Sequence, residues 1–278
     1  MTSIQKSANN LLFTTLHPKS LKYFNELKKN ISQFYSYFDL FVCINNVQNY
    51  KKYTVQINKL KFNKIYIYRL NVSSGLARIK SFKRIIKLKY EKIMLIDSDD
   101  LLEKGRLEIL KYKNNKNYDF FVNNLKSFSN QEVKNKILIK EKIKKITLKK
   151  IIDTNFVGLS NLTIKTSALK KIVNKLNWKL ISFDWGIITE LLLSNCKGKY
   201  FDKYFTLYRQ HSQNINNSFK ENKIIFNLNI KISHYKHFQL RNKIFKSKLK
   251  FVSKLKKLYL SGKNISEKKY YNLSKWWF

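Results

Sequence analysis

Proline is almost missing from this chain of 278 residues, where Pro18 stands alone, and glycine occurs only six times. So few glycines exclude a glycine-rich loop that cradles phosphate, and no Gly/Pro-rich linker or internal repeat divides the chain. The two cysteines, Cys43 and Cys196, lie in apolar surroundings and make neither a disulfide framework nor a zinc site. No apolar run approaches the ~20 residues that span a bilayer. The first ten residues are polar and residues 11–16 are too short for the apolar core of a signal peptide, so a cytosolic protein is expected.

Acid is scarce as well: 17 Asp and Glu face 57 Lys and Arg, for a net charge of +40. Such a charge is compatible with nucleic acid, an anionic membrane surface or phosphorylated substrates. Arginine, however, occurs six times, and 51 of the 57 basic residues are lysine. Readers of base edges use arginine's bidentate fork, which lysine lacks, so nucleic acid is disfavoured. The lysines are spread along the whole chain among Asn and Ile, the pattern of a compositional bias across the source's proteins. Attraction to an anionic membrane is the next reading. With 44% hydrophobic and 15% aromatic residues the chain has material for a sizeable core.

Against this background one stretch stands out, Ile93-Met94-Leu95-Ile96-Asp97-Ser98-Asp99-Asp100. A short continuous apolar run reads as a strand buried on both faces. Ligands of open α/β sheets sit beyond the carboxyl ends of such strands, where Asp97, Asp99 and Asp100 stand. Three close carboxylates repel one another unless a cation lies between them, and a hard divalent ion, Mg²⁺ or Mn²⁺, bridging phosphates suits them. The bland alternative is an acidic turn capping a helix that begins near Leu101.

Around that stretch the pattern alternates strand and helix. Strands are expected at residues 11–16, 38–44, 64–70 and 93–96, with helices at 19–37 and 76–89, the latter capped by Ser73 or Ser74. Residues 53–60 are ambiguous. Further on, a helix at 103–113, strands at 119–122, 158–164 and 200–208, and helices at 168–176 and 184–194 are expected. Residues 127–150 read as a hairpin and connecting helix, and 220–260 as lysine-rich helix. This order argues for a sheet of right-handed crossovers with helices on both faces.

The chain resembles a family 2 glycosyltransferase of the GT-A fold, of the type that builds bacterial surface polysaccharide. The resemblance covers roughly residues 8–217 and rests on Ala77-Arg78, Leu95-Ile96-Asp97-Ser98-Asp99-Asp100, Phe183-Asp184-Trp185, and Tyr208-Arg209-Gln210-His211 with Asn214. It implies a Rossmann-like, mixed but mainly parallel sheet flanked by helices over residues 1–218, followed by a basic, mostly helical extension over 219–278. It further implies a nucleoside-diphosphate sugar donor, a divalent metal, and a glycan or lipid-linked acceptor, with inversion at the anomeric carbon. Asp99 would be a direct metal ligand, Asp97 would reach the ribose or the metal shell, and His211 would complete that shell. Asp100 is a further metal-side or capping carboxylate. Arg78 and Arg209 would meet the diphosphate. Asp184 would be the catalytic base, held ionised by its helix N-terminus, and Trp185 either a wall for a sugar ring or a core residue.

Two departures mark the donor side. Asn45-Asn46 stands where an aspartate pair often reads base and ribose, and residues 14–17 end in His17, a possible donor-site group. Beyond residue 220 the lysine-rich helices and Trp276-Trp277-Phe278 suggest an amphipathic surface on the inner membrane face. The rival from another class is a non-enzymatic basic binding protein for anionic membrane or nucleic acid. A nucleotidyltransferase using the same carboxylates is a third reading, disfavoured by the missing glycine-rich loop.

Overall fold

Strands that are apolar at nearly every position need cover on both faces, and the first half of the sheet meets that need. A computed structural model describes residues 9–112, 115–128, 136–139, 143, 145–210, 223–261 and 277. Strands β1 (Asn10–Leu16), β2 (Asp39–Asn45), β3 (Ile65–Leu70) and β4 (Lys92–Asp97) lie parallel in the order β3-β2-β1-β4. Alternate residues turn to opposite sides. Leu11, Phe13, Phe41, Ile93 and Leu95 enter one core; Leu12, Leu40, Val42, Met94 and Ile96 enter the other. The second core is closed by α1 (Phe24–Ile31) and α2 (Tyr50–Asn58), the first by α3 (Ser74–Ile86).

Beyond β4 the sheet changes direction. The run continues β8-β6-β9-β5, with β5 (Leu101–Leu102), β6 (Phe120–Phe128), β8 (Leu162–Lys165) and β9 (Gly198–Arg209). β8 is antiparallel to both β4 and β6, β6 and β9 are parallel, and β5 is antiparallel to β9. The two-residue β7 (Lys136–Ile137) pairs with β6 off this path. Short helices α4 (Glu108–Lys111), α5 (Leu148–Ile151) and α6 (Thr166–Ile172) fill the connections. The result is a mixed α/β fold with its sheet flanked by helices.

Helix α7 (Phe183–Leu193) is mostly apolar and, apart from Asp184 at its start and its last two residues, buried along its length. Its outer cover is α8 (Lys223–Phe238), which forms a hairpin with α9 (Lys243–Leu260). The Trp185 indole stacks on His234 of α8 at 3.9 Å between centroids, and Leu228, Tyr235 and Phe238 join the first core. The lysine-rich region thus contributes to the same core as the sheet. The expected boundary at residue 218 falls outside the described residues.

Several expectations are corrected. The helix expected over 19–37 divides into a 3-10 turn (Pro18–Tyr23), α1, and a second 3-10 turn (Ser32–Phe34). Its first turn is tightened by Ser20, whose hydroxyl donates to His17 O at 2.9 Å and accepts from His17 N at 3.2 Å. No helix begins at Leu101. The Asn30 side chain pairs with both backbone groups of Leu102, at 2.9 and 3.0 Å, and holds it extended against β9. Only the second half of residues 158–164 is strand; Asn161 accepts from Gly158 N at 2.8 Å and turns residues 159–161 into a 3-10 turn. The ambiguous residues 53–60 belong to α2.

One buried cation ties the late strands to one another. Arg106 is 1% exposed. Its guanidinium donates to Ser160 O, to Leu162 O at 3.0 Å and to Thr206 Oγ1 at 3.2 Å. Burial disfavours its charge, and the nearby Asp100 carboxylate supports it. Replacing Arg106 by Met leaves two carbonyls without this donor and Asp100 without this cation, so a loss of about 3–5 kcal/mol in urea unfolding is expected.

Candidate active site

A cleft of about 900 Å³ opens where β1, β2 and β4 end. Its near wall carries His17 after β1, Asn45 and Asn46 at the end of β2, the first turns of α3 with Arg78, and the acidic turn Asp97–Asp100. Its far wall comes from the second half of the sheet: residues 158–161, the loop 178–182, Asp184 at the start of α7, Tyr208 of β9, and Trp277. Most of the residues singled out in the sequence therefore line one cavity, though they are spread over more than 160 positions.

The acidic turn is held rigidly. Ser98 is buried, its Oγ 2.7 Å from Thr15 O and 2.6 Å from Ser20 Oγ, which ties the turn to the segment after β1. Asp97 forms an ion pair with Arg78 at 3.1 Å, and its backbone N–H donates to Ser160 Oγ at 2.9 Å. Asp100 is 2% exposed and accepts from the Arg209 backbone N–H at 2.8 Å, so it does not cap a helix but joins the turn to β9. Burial raises the Asp97 carboxyl, with Arg78 opposing and Asp99 adding to the rise. Asp100 is pushed well above the ordinary carboxylate value by burial and by the charges of Asp99 and Asp97. The neighbouring imidazole of His17 is lowered by burial in spite of Asp99 and Asp97.

These oxygen donors fit a hard cation. Their repulsion raises two of the three carboxyls, and a divalent ion at the cleft edge of Asp99 would relieve it. Among the described residues no group of three or more His, Cys, Asp or Glu is arranged to enclose a metal. His211 lies outside the described residues.

Three candidate residues are held by contacts within the protein. Arg209 is 2% exposed and donates to Asp99 O at 2.7 Å and to Glu26 at 2.5 Å, with its guanidinium 4.3 Å from the ring centroids of both Tyr23 and Phe128. It braces the acidic turn from beneath. Asn45 lines the cleft, but its amide exchanges hydrogen bonds with the backbone of Val72 at 2.9 and 3.2 Å, which fixes the entry to α3. Trp185 is not a wall of the cleft: it is fully buried, donates to Ile151 O at 2.9 Å and stacks on His234, because α7 turns this face toward α8.

Asp184 does face the cleft. One of its oxygens accepts from Ser182 Oγ at 2.7 Å and from Trp185 N–H at 2.8 Å. The helix N-terminus favours an ionised group, but burial is the larger effect and raises this carboxyl above its ordinary value. Tyr208, which burial and four carboxylates push up, stays a neutral phenol.

Sequence reasoning missed Arg106, Ser160, Trp178 and the position of Trp277. The first had a signal, a rare arginine six positions after Asp100. The terminal aromatic cluster was assigned to lipid, yet Trp277 is 6% exposed, bridges to Asn155 and lies in the cleft; Trp276 and Phe278 fall outside the described residues. Gly158 makes its seat, since a Cβ there would come 3.2 Å from the indole. Gly75 makes a second close approach, where a Cβ would meet Trp178 O at 2.5 Å.

Neither a family model nor a curated protein sequence matches the chain. Solved structures do. The 1–349 portion of S. aureus TarS superposes with a TM-score of 0.60 at 16% identity, covering 92% of this chain and 93% of that one. The same portion in complex with UDP-GlcNAc gives 0.59 at 17% identity, covering 81% and 66%. Mannosyltransferase PcManGT from Pyrobaculum calidifontis, in complex with GDP-Man and Mn²⁺, gives 0.55 at 8% identity, covering 93% and 77%. In another TarS structure the match spans 43% of that chain. The fold is thus of the GT-A glycosyltransferase type.

The raised carboxyl of Asp184 has a consequence for stability. The fold favours its protonated form, a contribution present below the ordinary carboxylate range and lost as pH rises through the raised value. At neutral pH the ionised group therefore costs stability. Asp184→Asn, neutral throughout and able to accept the same two hydrogen bonds, is expected to raise the Tm at neutral pH, with the difference shrinking in acid, as followed by thermal denaturation across pH.

Proposed function

We propose that the protein is a metal-dependent glycosyltransferase. It moves a sugar from a nucleoside-diphosphate sugar to a hydroxyl of a glycan or lipid-linked acceptor. The observation that carries this reading is that Arg78, Asp97, Asp99 and Asp184 line one cleft. The neighbours' complexes with UDP-GlcNAc and with GDP-Man and Mn²⁺ support the donor class.

In this reading Asp99 would hold the cation, with His211 as a further ligand, and Arg78, which pairs with Asp97, would face the phosphates. The bound ion supplies Lewis-acid stabilisation for the departing nucleoside diphosphate. Asp184 takes the proton of the acceptor hydroxyl as that oxygen bonds to the anomeric carbon. The bond from the anomeric carbon to phosphate breaks, its electron pair leaving with the diphosphate. Among the described residues that line the cleft, Asp184 is the one carboxylate outside the acidic turn, which supports inversion.

A thermal-shift panel of nucleoside diphosphates and their sugars, with and without Mn²⁺, tests the donor site. One nucleotide is expected to stabilise the protein only with metal present, by about 2.7 kcal/mol at a hundredfold excess over Kd. Asp99→Asn is expected to lose that shift and about 10²-fold or more in turnover. A panel without nucleotide shifts, beside a large shift with heparin, supports the basic binding protein instead.

We also propose that the region after residue 218 is a basic extension that holds the enzyme at an anionic, cytosolic membrane face. Among the described residues no helix is long and apolar enough to cross a membrane. On α9, Lys243, Lys246, Lys250, Lys254 and Lys257 are exposed and recur at intervals of three and four, a single stripe. Phe251 is 51% and Leu260 61% exposed beside it, and Leu240 at the preceding turn is 95% exposed. Each lysine near an anionic surface contributes about 1 kcal/mol. Flotation with phosphatidylglycerol vesicles is expected to recover the protein at low salt, less at high salt, and less after charge reversal of Lys250, Lys254 and Lys257. Equal recovery with neutral vesicles would contradict an electrostatic attachment.

A further inference from the structure

We propose that the turn at residues 177–181, on the edge of the cleft, is a docking rim for an anionic lipid bilayer, with Trp178, Ile181 and the adjoining Leu240 entering the interface. The inference rests on the glycosyltransferase reading for one consequence only, that the acceptor hydroxyl reaches the cleft on an amphiphile held in that bilayer.

The turn is built to hold these side chains outward. Asn177 closes it, its Oδ1 accepting from Lys179 N–H at 3.0 Å and its backbone O from Leu180 N–H at 3.3 Å. Leu180 packs inward and is buried, whereas Trp178 and Ile181 are each 42% exposed. Two of the six glycines let the turn press against its neighbours. A Cβ at Gly75 of α3 would meet Trp178 O at 2.5 Å, and one at Gly186 of α7 would meet Leu180 Cδ1 at 2.7 Å. On the other side Asn177 Nδ2 lies 3.2 Å from His237 Nδ1, and Asn177, Leu180, His237 and Phe238 border one small recess. The α8–α9 turn with Leu240, almost wholly exposed, therefore adjoins the rim.

Charge around the rim is of one sign. No Asp or Glu occurs in residues 165–183 or 223–261. Lys170, Lys171, Lys175 and Lys179 are exposed on α6 and the segment after it, and exposed Lys236 and Lys243 flank Leu240 in sequence. Glu190 of α7 is buried and paired with Arg241. An indole and two aliphatic chains among lysines match the layering of a bilayer surface. The apolar groups enter the boundary between headgroups and acyl chains, and the ammonium groups stay with anionic headgroups. A soluble polyanion would engage the lysines but leave Ile181 and Leu240 in water. Because residues 178–182 also line the cleft, a bilayer seated here lies at its opening, which the lysine stripe of α9 alone would not require.

The test places an environment-sensitive nitrobenzoxadiazole label on the full chain at Ile181→Cys, Phe251→Cys or Val55→Cys. Cys43 and Cys196 are free but buried, so the label goes to the introduced thiol. Val55 is exposed on α2, over the opposite face of the sheet, and serves as the control. With phosphatidylglycerol vesicles and no nucleotide, the Ile181 label is expected to shift to the blue and to be quenched by doxyl-labelled lipid, while the Val55 label stays unchanged. Trp178→Ala is expected to lower vesicle partitioning about tenfold, the loss of one large apolar side chain from the interface, and Trp178→Phe less. Lys175→Glu with Lys179→Glu is expected to lower partitioning at low salt and flatten its salt dependence. An Ile181 label that stays in water while the Phe251 label is buried overturns the inference and leaves attachment through α9 alone. Equal responses of the Ile181 and Val55 labels, or equal responses to phosphatidylcholine vesicles, also overturn it. So does an Ile181 label that responds to heparin or to protein concentration and not to vesicles, and so does partitioning unchanged in both Trp178→Ala and the double lysine variant. Failure of the donor reading is seen separately, as absence of any nucleotide shift in the unsubstituted protein, and the vesicle labelling then decides the rim by itself.

Discussion

Three carboxylates in four residues, two of them withdrawn from water, are what the rest of this structure has to accommodate. Beyond the effect of burial, Asp99 adds to the cost of ionising Asp97, and Asp99 and Asp97 to that of Asp100, and the protein answers with arginine. Arg78 pairs with Asp97, Arg106 lies charged beneath Asp100, and Arg209 gives its backbone N–H to Asp100 and its side chain to Asp99 O. Half of the six arginines in a chain of 57 basic residues are gathered at this one turn. The choice is physical. A buried cation that must satisfy several carbonyls in fixed directions needs a planar fork of donors, and a lysine ammonium has no such shape.

The same arginines connect the site to the fold. Arg106 donates to Ser160, Leu162 and Thr206, so the cation that compensates Asp100 also holds β8 and β9 together. Arg209 ends β9 and reaches Glu26 of α1 across the sheet. The acidic turn is consequently the junction between the parallel half of the sheet and the mixed half, and the cleft opens along that seam. A ligand bound there would touch both halves of the sheet. Asp184 and Tyr208 keep protons more tightly than their types usually do, first because they are withdrawn from water and then because neighbouring carboxylates add their charge.

The lysines have a different distribution and a different consequence. They lie mostly on the surface, and on α9 they form a regular stripe beside exposed Phe251 and Leu260. That helix belongs to a hairpin whose inner face, through Tyr235, Phe238 and Phe245, is built into the principal core. An attachment made through its outer face would therefore be rigid with respect to the cleft.

Much of the parallel half was legible in the residues. Runs without polar interruption, such as Phe41-Val42-Cys43-Ile44 and Ile93-Met94-Leu95-Ile96, admit only strands covered on both faces, and carboxylates at the end of one of them mark a ligand site by the geometry of open sheets. The position of Asp184 at a helix start was likewise a local property. What periodicity could not supply was pairing across long intervals. Leu101 and Leu102 are strand because they pair with Leu207 and Thr206 of β9, while Asn30, 72 positions before Leu102, takes both of that residue's backbone groups. Trp185 is core and Trp277 lines the cleft because α8 covers one and Gly158 seats the other, and two tryptophans are indistinguishable until the chain is folded around them. Local pattern determined which segments are strands and where the charge lies; tertiary contact decided which of those groups face the same space.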